Sequence, residues 1–216
     1  MTRSHLLDLE GLSIRIDQHG DVDALFDELL SKGEESEAVQ DERIPYWADL
    51  WPSAIAMSLH LLRSELITPA TTVTEIGCGL GLPGIVAGML GAKEVIFSDY
   101  LEEALVFARR NWALNNSSAA RFERMDWREP NPAFAADLLL ASDVAYEQRF
   151  FDHLPQAFRA LTRPGGRILF SEPGRGVAKD FLAGLPGRGF EVKTTMVTGE
   201  WNNLPYEVGV YELRID

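Results

Sequence analysis

Apolar and polar positions repeat along this chain with two periods, one of two residues and one near ~3.6, and the two periods take turns. Leu12, Ile14 and Ile16 sit between polar neighbours, the pattern of a short half-buried strand. Asp21 is placed to cap a helix with Leu25, Phe26, Leu29 and Leu30 on one side. Residues 31–43 are polar, acid-rich and aperiodic; they read as a solvated loop or as the hinge of a lid. Helical spacing returns after Ser53, with Ile55, Leu59, Leu62 and Leu66 on one stripe and Pro69 beyond its end. Strands follow at 71–76 and 93–98, with a short helix from Leu82 to Gly91 between them. A helix carrying Leu101, Leu105, Ala108 and Trp112 comes next, then strands at 121–125 and 137–142. Phe150, Leu154, Phe158 and Leu161 form one more helical stripe, which Pro155 breaks or kinks. Pro164-Gly165-Gly166 turns into a strand at 167–171, and residues 177–186 read as helix. Two last strands, near 190–197 and 206–213, flank a loop holding Trp201 and Pro205.

Strands alternating with helices, joined by right-handed crossovers, predict an α/β fold with a doubly wound, Rossmann-like, mostly parallel sheet of seven strands. No helix separates the final two strands, so they form a C-terminal antiparallel hairpin. Residues 1–44 read as an N-terminal extension (short strand, helix, acidic linker) on the same core, and 45–216 as the main domain.

The chemistry concentrates where the first two sheet strands end. Val73-Thr74-Glu75-Ile76-Gly77-Cys78-Gly79-Leu80-Gly81 is an apolar strand closing on an acid and three alternating glycines. Pro83 suits the first turn of the helix that follows, whose free N–H groups and partial positive charge favour an anion. Val95-Ile96-Phe97-Ser98-Asp99 then ends a second strand on an acid placed to accept from two ribose hydroxyls. Strand, glycine turn, helix, strand and acid together predict a site for a nucleoside-bearing cofactor rather than a plain tight turn.

Bulk properties narrow the field. A chain of 216 residues suffices for one α/β domain. It has no apolar run of the ~20 residues that a membrane span needs, and its start is not that of a secretory signal. A single cysteine, Cys78, makes no internal disulfide; no zinc spacing exists, and the expectation is a reducing cytoplasm. The net charge of −13 argues against a nucleic-acid backbone as the main partner.

The Glu-x-Gly-x-Gly-x-Gly form resembles motif I of the seven-strand S-adenosylmethionine-dependent methyltransferases. Pro45-Tyr46-Trp47-Ala48-Asp49-Leu50-Trp51-Pro52-Ser53-Ala54, Met125-Asp126-Trp127 and Asp137-Leu138-Leu139-Leu140-Ala141-Ser142-Asp143-Val144-Ala145-Tyr146 resemble, in this order, segments of methyltransferase family 16. That family contains lysine-specific protein methyltransferases, and the likeness spans roughly residues 45 to 213. The resemblance implies S-adenosylmethionine as cofactor, held by Trp51, Glu75, Gly77, Cys78, Gly79, Gly81, Asp99, Tyr100, Asp126, Trp127 and Ser142. It gives Asp126 to the adenine amino group and Trp127 to the ring face; a turn acid and a core tryptophan are the alternative for that pair. It also implies that Asp143 holds the acceptor amine and Tyr146 lines its channel, where a helix-capping acid and a half-buried tyrosine are the alternative.

Methyltransferases acting on planar nitrogens usually carry Asn/Asp-Pro-Pro-Tyr at this point. Asp143-Val144-Ala145-Tyr146 lacks both prolines and is similar to the Asp-x-x-Tyr form that serves flexible lysine amines. The expected function is therefore methyl transfer to a lysine of a protein substrate. A small-molecule amine or N-heterocycle is the alternative acceptor, and a cofactor-binding module without turnover a third reading.

Overall fold

A computed structural model describes residues 2–31, 33, 35, 36, 39 and 44–216. Strands β1 (Thr2–Leu9) and β2 (Leu12–His19) form an antiparallel hairpin. Helix α1 (Val22–Ser31) follows, and Asp21 caps it by accepting the Ala24 N–H at 2.9 Å. The expected lid hinge at 31–43 lies for the most part outside the described residues. Next come α2 (Pro52–Arg63), β3 (Thr72–Ile76), α3 (Leu82–Met89), β4 (Glu94–Asp99), α4 (Glu102–Asn115) and β5 (Arg121–Arg124). The chain ends with β6 (Ala136–Ser142), α5 (Leu154–Leu161), β7 (Thr162–Glu172), α6 (Lys179–Gly184), β8 (Phe190–Trp201) and β9 (Leu204–Ile215).

The main sheet runs β5-β4-β3-β6-β7-β9-β8, parallel through β7 and antiparallel for the last two strands. The expected seven-strand, doubly wound sheet with its terminal hairpin is what the chain forms. Strand order reverses between β3 and β6, and a ligand cleft belongs beyond the carboxyl ends of those strands.

Period-two alternation sorts the strand side chains onto two buried faces. Val73, Val95, Phe97, Leu138 and Leu140 join Ile55, Leu61, Ile85, Leu105 and Trp112 of α2 to α4 on one face. Ile96, Leu139, Ala141, Ile168 and Phe170 meet Leu154, Phe158 and Phe181 of α5 and α6 on the other. At Gly84, in the first turns of α3, an added Cβ would lie 2.4 Å from Phe97 Cε1 and 2.6 Å from Glu75 Oε2. Gly84→Ala is therefore expected to destabilise the fold by about 1–3 kcal/mol through overpacking, read as a lowered urea midpoint at unchanged m-value.

Four details differ from the sequence expectations. Strand β1 was not expected, because Arg3 to Leu6 carry little alternation and only Leu7 and Leu9 are buried. Helix α2 stops at Arg63, so Leu66 lies past its end. Phe150 belongs to a separate 3-10 turn, and α5 begins at Leu154 with Pro155 in its first turn, where a proline costs no hydrogen bond. Trp201 and Pro205 are strand residues rather than loop: β8 and β9 run on to a two-residue turn, Asn202-Asn203, both at positive φ (52° and 62°). That is the left-handed geometry a tight hairpin requires and asparagine tolerates.

The β1–β2 hairpin is fastened to the sheet domain by amides of α4. Asn111 Oδ1 accepts the Asp17 N–H at 2.8 Å, and its Nδ2 donates to the carbonyls of both Asp17 (2.9 Å) and Leu80 (3.0 Å). Asn115 brackets Arg15 in the same way, accepting at 2.9 Å and donating at 2.7 Å.

Candidate active site

The turn after β3 takes three left-handed glycines, with φ of 56°, 49° and 80° at Gly77, Gly79 and Gly81. A Cβ on Gly77 would stand 2.8 Å from Trp127 Cζ3 and 3.1 Å from Val144 Cγ1, so this position needs glycine for space as well as conformation. Facing the turn, across the reversal in strand order, are the residues that follow β6. Between them lies a cleft of about 530 Å³, within the size range of cofactor sites.

Of the residues expected to hold a cofactor, Trp51, Gly77, Cys78, Gly79, Gly81, Asp99, Tyr100, Asp126, Trp127 and Ser142 all line this cleft, together with Asp143 and Tyr146. Glu75 does not. Its fully buried side chain sits beneath the turn, where Oε2 accepts the Gly84 N–H at 2.9 Å and Oε1 has no hydrogen-bond partner among the described residues. Burial pushes its carboxyl up to about 8; the Gly84 N–H opposes this, and the nearby Asp99 charge adds to it.

Asp99 braces the turn it was expected to serve. Oδ2 accepts the Gly79 N–H at 3.0 Å and Oδ1 the Leu101 N–H at 3.1 Å, which leaves further lone pairs on both oxygens. Burial raises its carboxyl to about 6, against the lowering effect of these backbone donors. Asp126 is more committed. Its Oδ1 accepts the Arg128 N–H at 2.8 Å, and its Oδ2 accepts Arg128 Nε at 2.7 Å. Trp127 sets its ring edge-on to Phe150 at 5.3 Å, while its indole N–H is buried with no partner among the described residues.

Aromatic rings wall the other side. Trp51 Nε1 donates to the Tyr46 carbonyl at 2.7 Å, and the Tyr46 ring meets Trp51 at 6.0 Å and Tyr146 at 5.6 Å, both edge-on. Burial drives the Tyr146 phenol well above its ordinary value, so it keeps its proton. The Cys78 thiol is likewise pushed up by burial and by the neighbouring acids, which removes it as a nucleophile. Trp47 packs on Phe107 with ring centres 5.6 Å apart and lies under Gly79.

A pairing not foreseen in the sequence joins Arg175 to Asp143, with Nη1 donating to Oδ1 and Nη2 to Oδ2, the latter at 3.2 Å. A signal existed: Ser142 pairs with Ser171 in the β6–β7 register, so the loops beginning at Asp143 and Glu172 leave neighbouring strands side by side.

This sheet order and cleft are those of the class I methyltransferases. Residues 35–185 match the lysine methyltransferase family, and the chain belongs to that family. Curated relatives include the electron transfer flavoprotein beta subunit lysine methyltransferases of Xenopus laevis (34% identity, 61% of this chain and 53% of the relative) and Danio rerio (30%, 63% and 53%). Histone-arginine methyltransferase METTL23 of Xenopus laevis is 33% identical over 54% of this chain and 52% of its own length. The chain thus spans about half the length of the curated relatives it matches. Among solved structures, the ribosomal protein L11 methylase from Lactobacillus delbrueckii subsp. bulgaricus aligns with a TM-score of 0.57 at 22% identity, over 76% of this chain and 79% of that one. N-methyltransferase NodS from Bradyrhizobium japonicum aligns at 0.55 and 17% identity, over 72% and 93%. Both are likenesses of fold.

Proposed function

We propose that the cleft binds S-adenosylmethionine and that the protein transfers its methyl group to the side-chain amine of a lysine in a protein substrate. The observation that carries this is the convergence of the Gly77–Gly81 turn and Asp99, on one wall, with Asp143 and Tyr146 on the other. The residues fit the cofactor's chemistry. Asp99 has acceptor capacity for a ribose diol, Gly77 keeps Cβ atoms out of the turn, and the Trp127 indole N–H awaits an acceptor. The faces of Trp51 and Tyr146 suit a sulfonium, with cation–π attraction of ~0.5–2 kcal/mol.

When bound, S-adenosylmethionine supplies an electrophilic methyl group; the chain's own residues have to bring an uncharged amine to it. Asp143, with its side chain 9% exposed, accepts from the amine and sets its direction. Tyr146 stays protonated and lines the approach. The free proton goes to water, since Asp143 serves in orientation rather than as a base. Alignment then supplies most of the rate.

Two measurements test this. Calorimetry with S-adenosylhomocysteine should show binding that holds above pH ~6 and weakens by up to about tenfold per unit below it, as Asp99 takes up a proton and loses acceptor capacity. Asp99→Asn should be weak at every pH. Labelled methyl groups supplied with a cell lysate should then appear in a protein band as methyllysine. Label confined to small molecules would replace the acceptor with a small amine or N-heterocycle.

A further inference from the structure

We propose that Arg175 is a positioning residue for the methyl acceptor: by holding Asp143 in a two-pronged ion pair it offsets the aspartate's charge, so that the cleft orients a lysine amine without fixing the proton that must leave. This rests on the lysine reading above.

The pair is built from both sides. Asp143 sits at a left-handed φ of 58°, with its N–H donated to the Ser171 carbonyl at 2.9 Å. Arg175 is placed by a buried acid, Glu172, which accepts the Arg175 N–H at 2.7 Å through Oε1 and the Gly174 N–H at 2.6 Å through Oε2. These bonds fix the backbone from which the Arg175 side chain reaches Asp143, and Glu172 Oε1 lies 3.9 Å from its Nη1. The guanidinium fork uses one acceptor site on each Asp143 oxygen, and a carboxylate offers about four, so the acceptor amine can still bind.

The electrostatics follow from distance. A bare carboxylate within ~4–6 Å favours the charged form of a lysine by ~1–3 pKa units, which deepens the shortage of neutral amine near pH 7. Arg175 stands directly on that carboxylate. The other charges facing it cancel in part or act on Arg175: Glu147 and Arg149 pair with each other at 2.6 Å, and Glu172 Oε1 lies 3.9 Å from Arg175 Nη1. Asp49, from the segment before α2, and Asp99, at the end of β4, line the same cleft and add negative charge. Asp126 and Arg128, also on the cleft wall, pair with each other at 2.6 Å, so removing Arg175 takes away the one cation set on Asp143 and tips the balance at the amine towards negative charge.

The test is the pH dependence of methyllysine formation from labelled S-adenosylmethionine, with cell lysate as the acceptor mixture, between pH ~6.5 and ~11. In Arg175→Gln the rising limb should move up by about one unit or more, lowering the rate at pH 7 about tenfold, with the loss shrinking as pH passes ~10.4, where a lysine amine ordinarily titrates. Arg175→Lys keeps the charge and should stay within a few tenths of a unit of the parent. Thermal melting checks folding, and Arg175→Met takes the place of Arg175→Gln if that variant melts early. The same fractional loss at every pH, no loss, or an equal shift in Arg175→Lys would each overturn the proposal. Absence of methyllysine from the unaltered protein would overturn the lysine reading and this inference with it; failure of the inference alone leaves that signal intact.

Discussion

Asp143→Ala is expected to abolish methyl transfer while S-adenosylhomocysteine binds within a few-fold of the unaltered protein. Three effects act together. The acceptor amine loses its orienting carboxylate, and a misplacement of about 1 Å is enough to cost ~10²-fold in rate. The Arg175 guanidinium loses its two-pronged partner and keeps only Glu172 Oε1, 3.9 Å from Nη1, so it repels an incoming ammonium more strongly. Alanine is also asked to adopt a φ of 58°, which costs roughly 1–2 kcal/mol and which aspartate and asparagine accept more readily. Asp143→Asn separates these effects, since it keeps the backbone and one acceptor oxygen. Its loss should be smaller, about 10–100-fold, if one retained acceptor still holds the amine near its line of attack. Initial rates of labelled-methyl transfer, with calorimetry on each variant, decide the matter; activity surviving in Asp143→Ala removes Asp143 from the chemistry.

Glu75→Gln is expected to make the protein more stable. In the fold the Glu75 carboxyl is raised from 4.5 to about 8, chiefly by burial. Between those two values the folded chain holds a proton that the unfolded chain has released, so stability falls as pH rises, by about 1.4 kcal/mol per unit. The contribution of this group is full below pH 4.5 and is lost as pH climbs towards 8. Glutamine keeps an acceptor for the Gly84 N–H and has no charge to suppress. The gain should therefore be near zero at pH 4 and roughly 3 kcal/mol at pH 7, on the order of 10 °C in melting temperature for a domain of this size. Urea unfolding at both pH values measures it. Equal stability gains at the two pH values would show that charge suppression is not the cause.

The sheet was legible because its signals are local. Leu138 to Ala141 are apolar enough to be buried on both faces, and each β-to-α step carries its own glycine or proline punctuation. The glycine turn and Asp99 were legible for the same reason: their spacing dictates a strand–turn–helix–strand unit. What escaped notice depends on register. Glu75 has the right spacing for a ligand contact, yet the close approach of α3 at Gly84 draws its carboxyl under the turn and out of the cleft. Asp126 and Arg128 are near neighbours whose pairing depends on a turn geometry that spacing does not specify. The Asp143–Arg175 pair spans two loops and becomes visible only when Ser142 is set beside Ser171. Strand β1 escaped because half of it faces solvent on both sides and so shows no alternation.

A single carboxamide ties the N-terminal hairpin to the edge of the cleft. Asn111 grips the Asp17 backbone and, with the same nitrogen, the Leu80 carbonyl inside the glycine turn. Residues 12–19 and the glycine turn accordingly share one tether. By reciprocity, a guest that stiffens the turn is expected also to secure the hairpin, and a chain trimmed of its opening strands to grasp that guest less firmly.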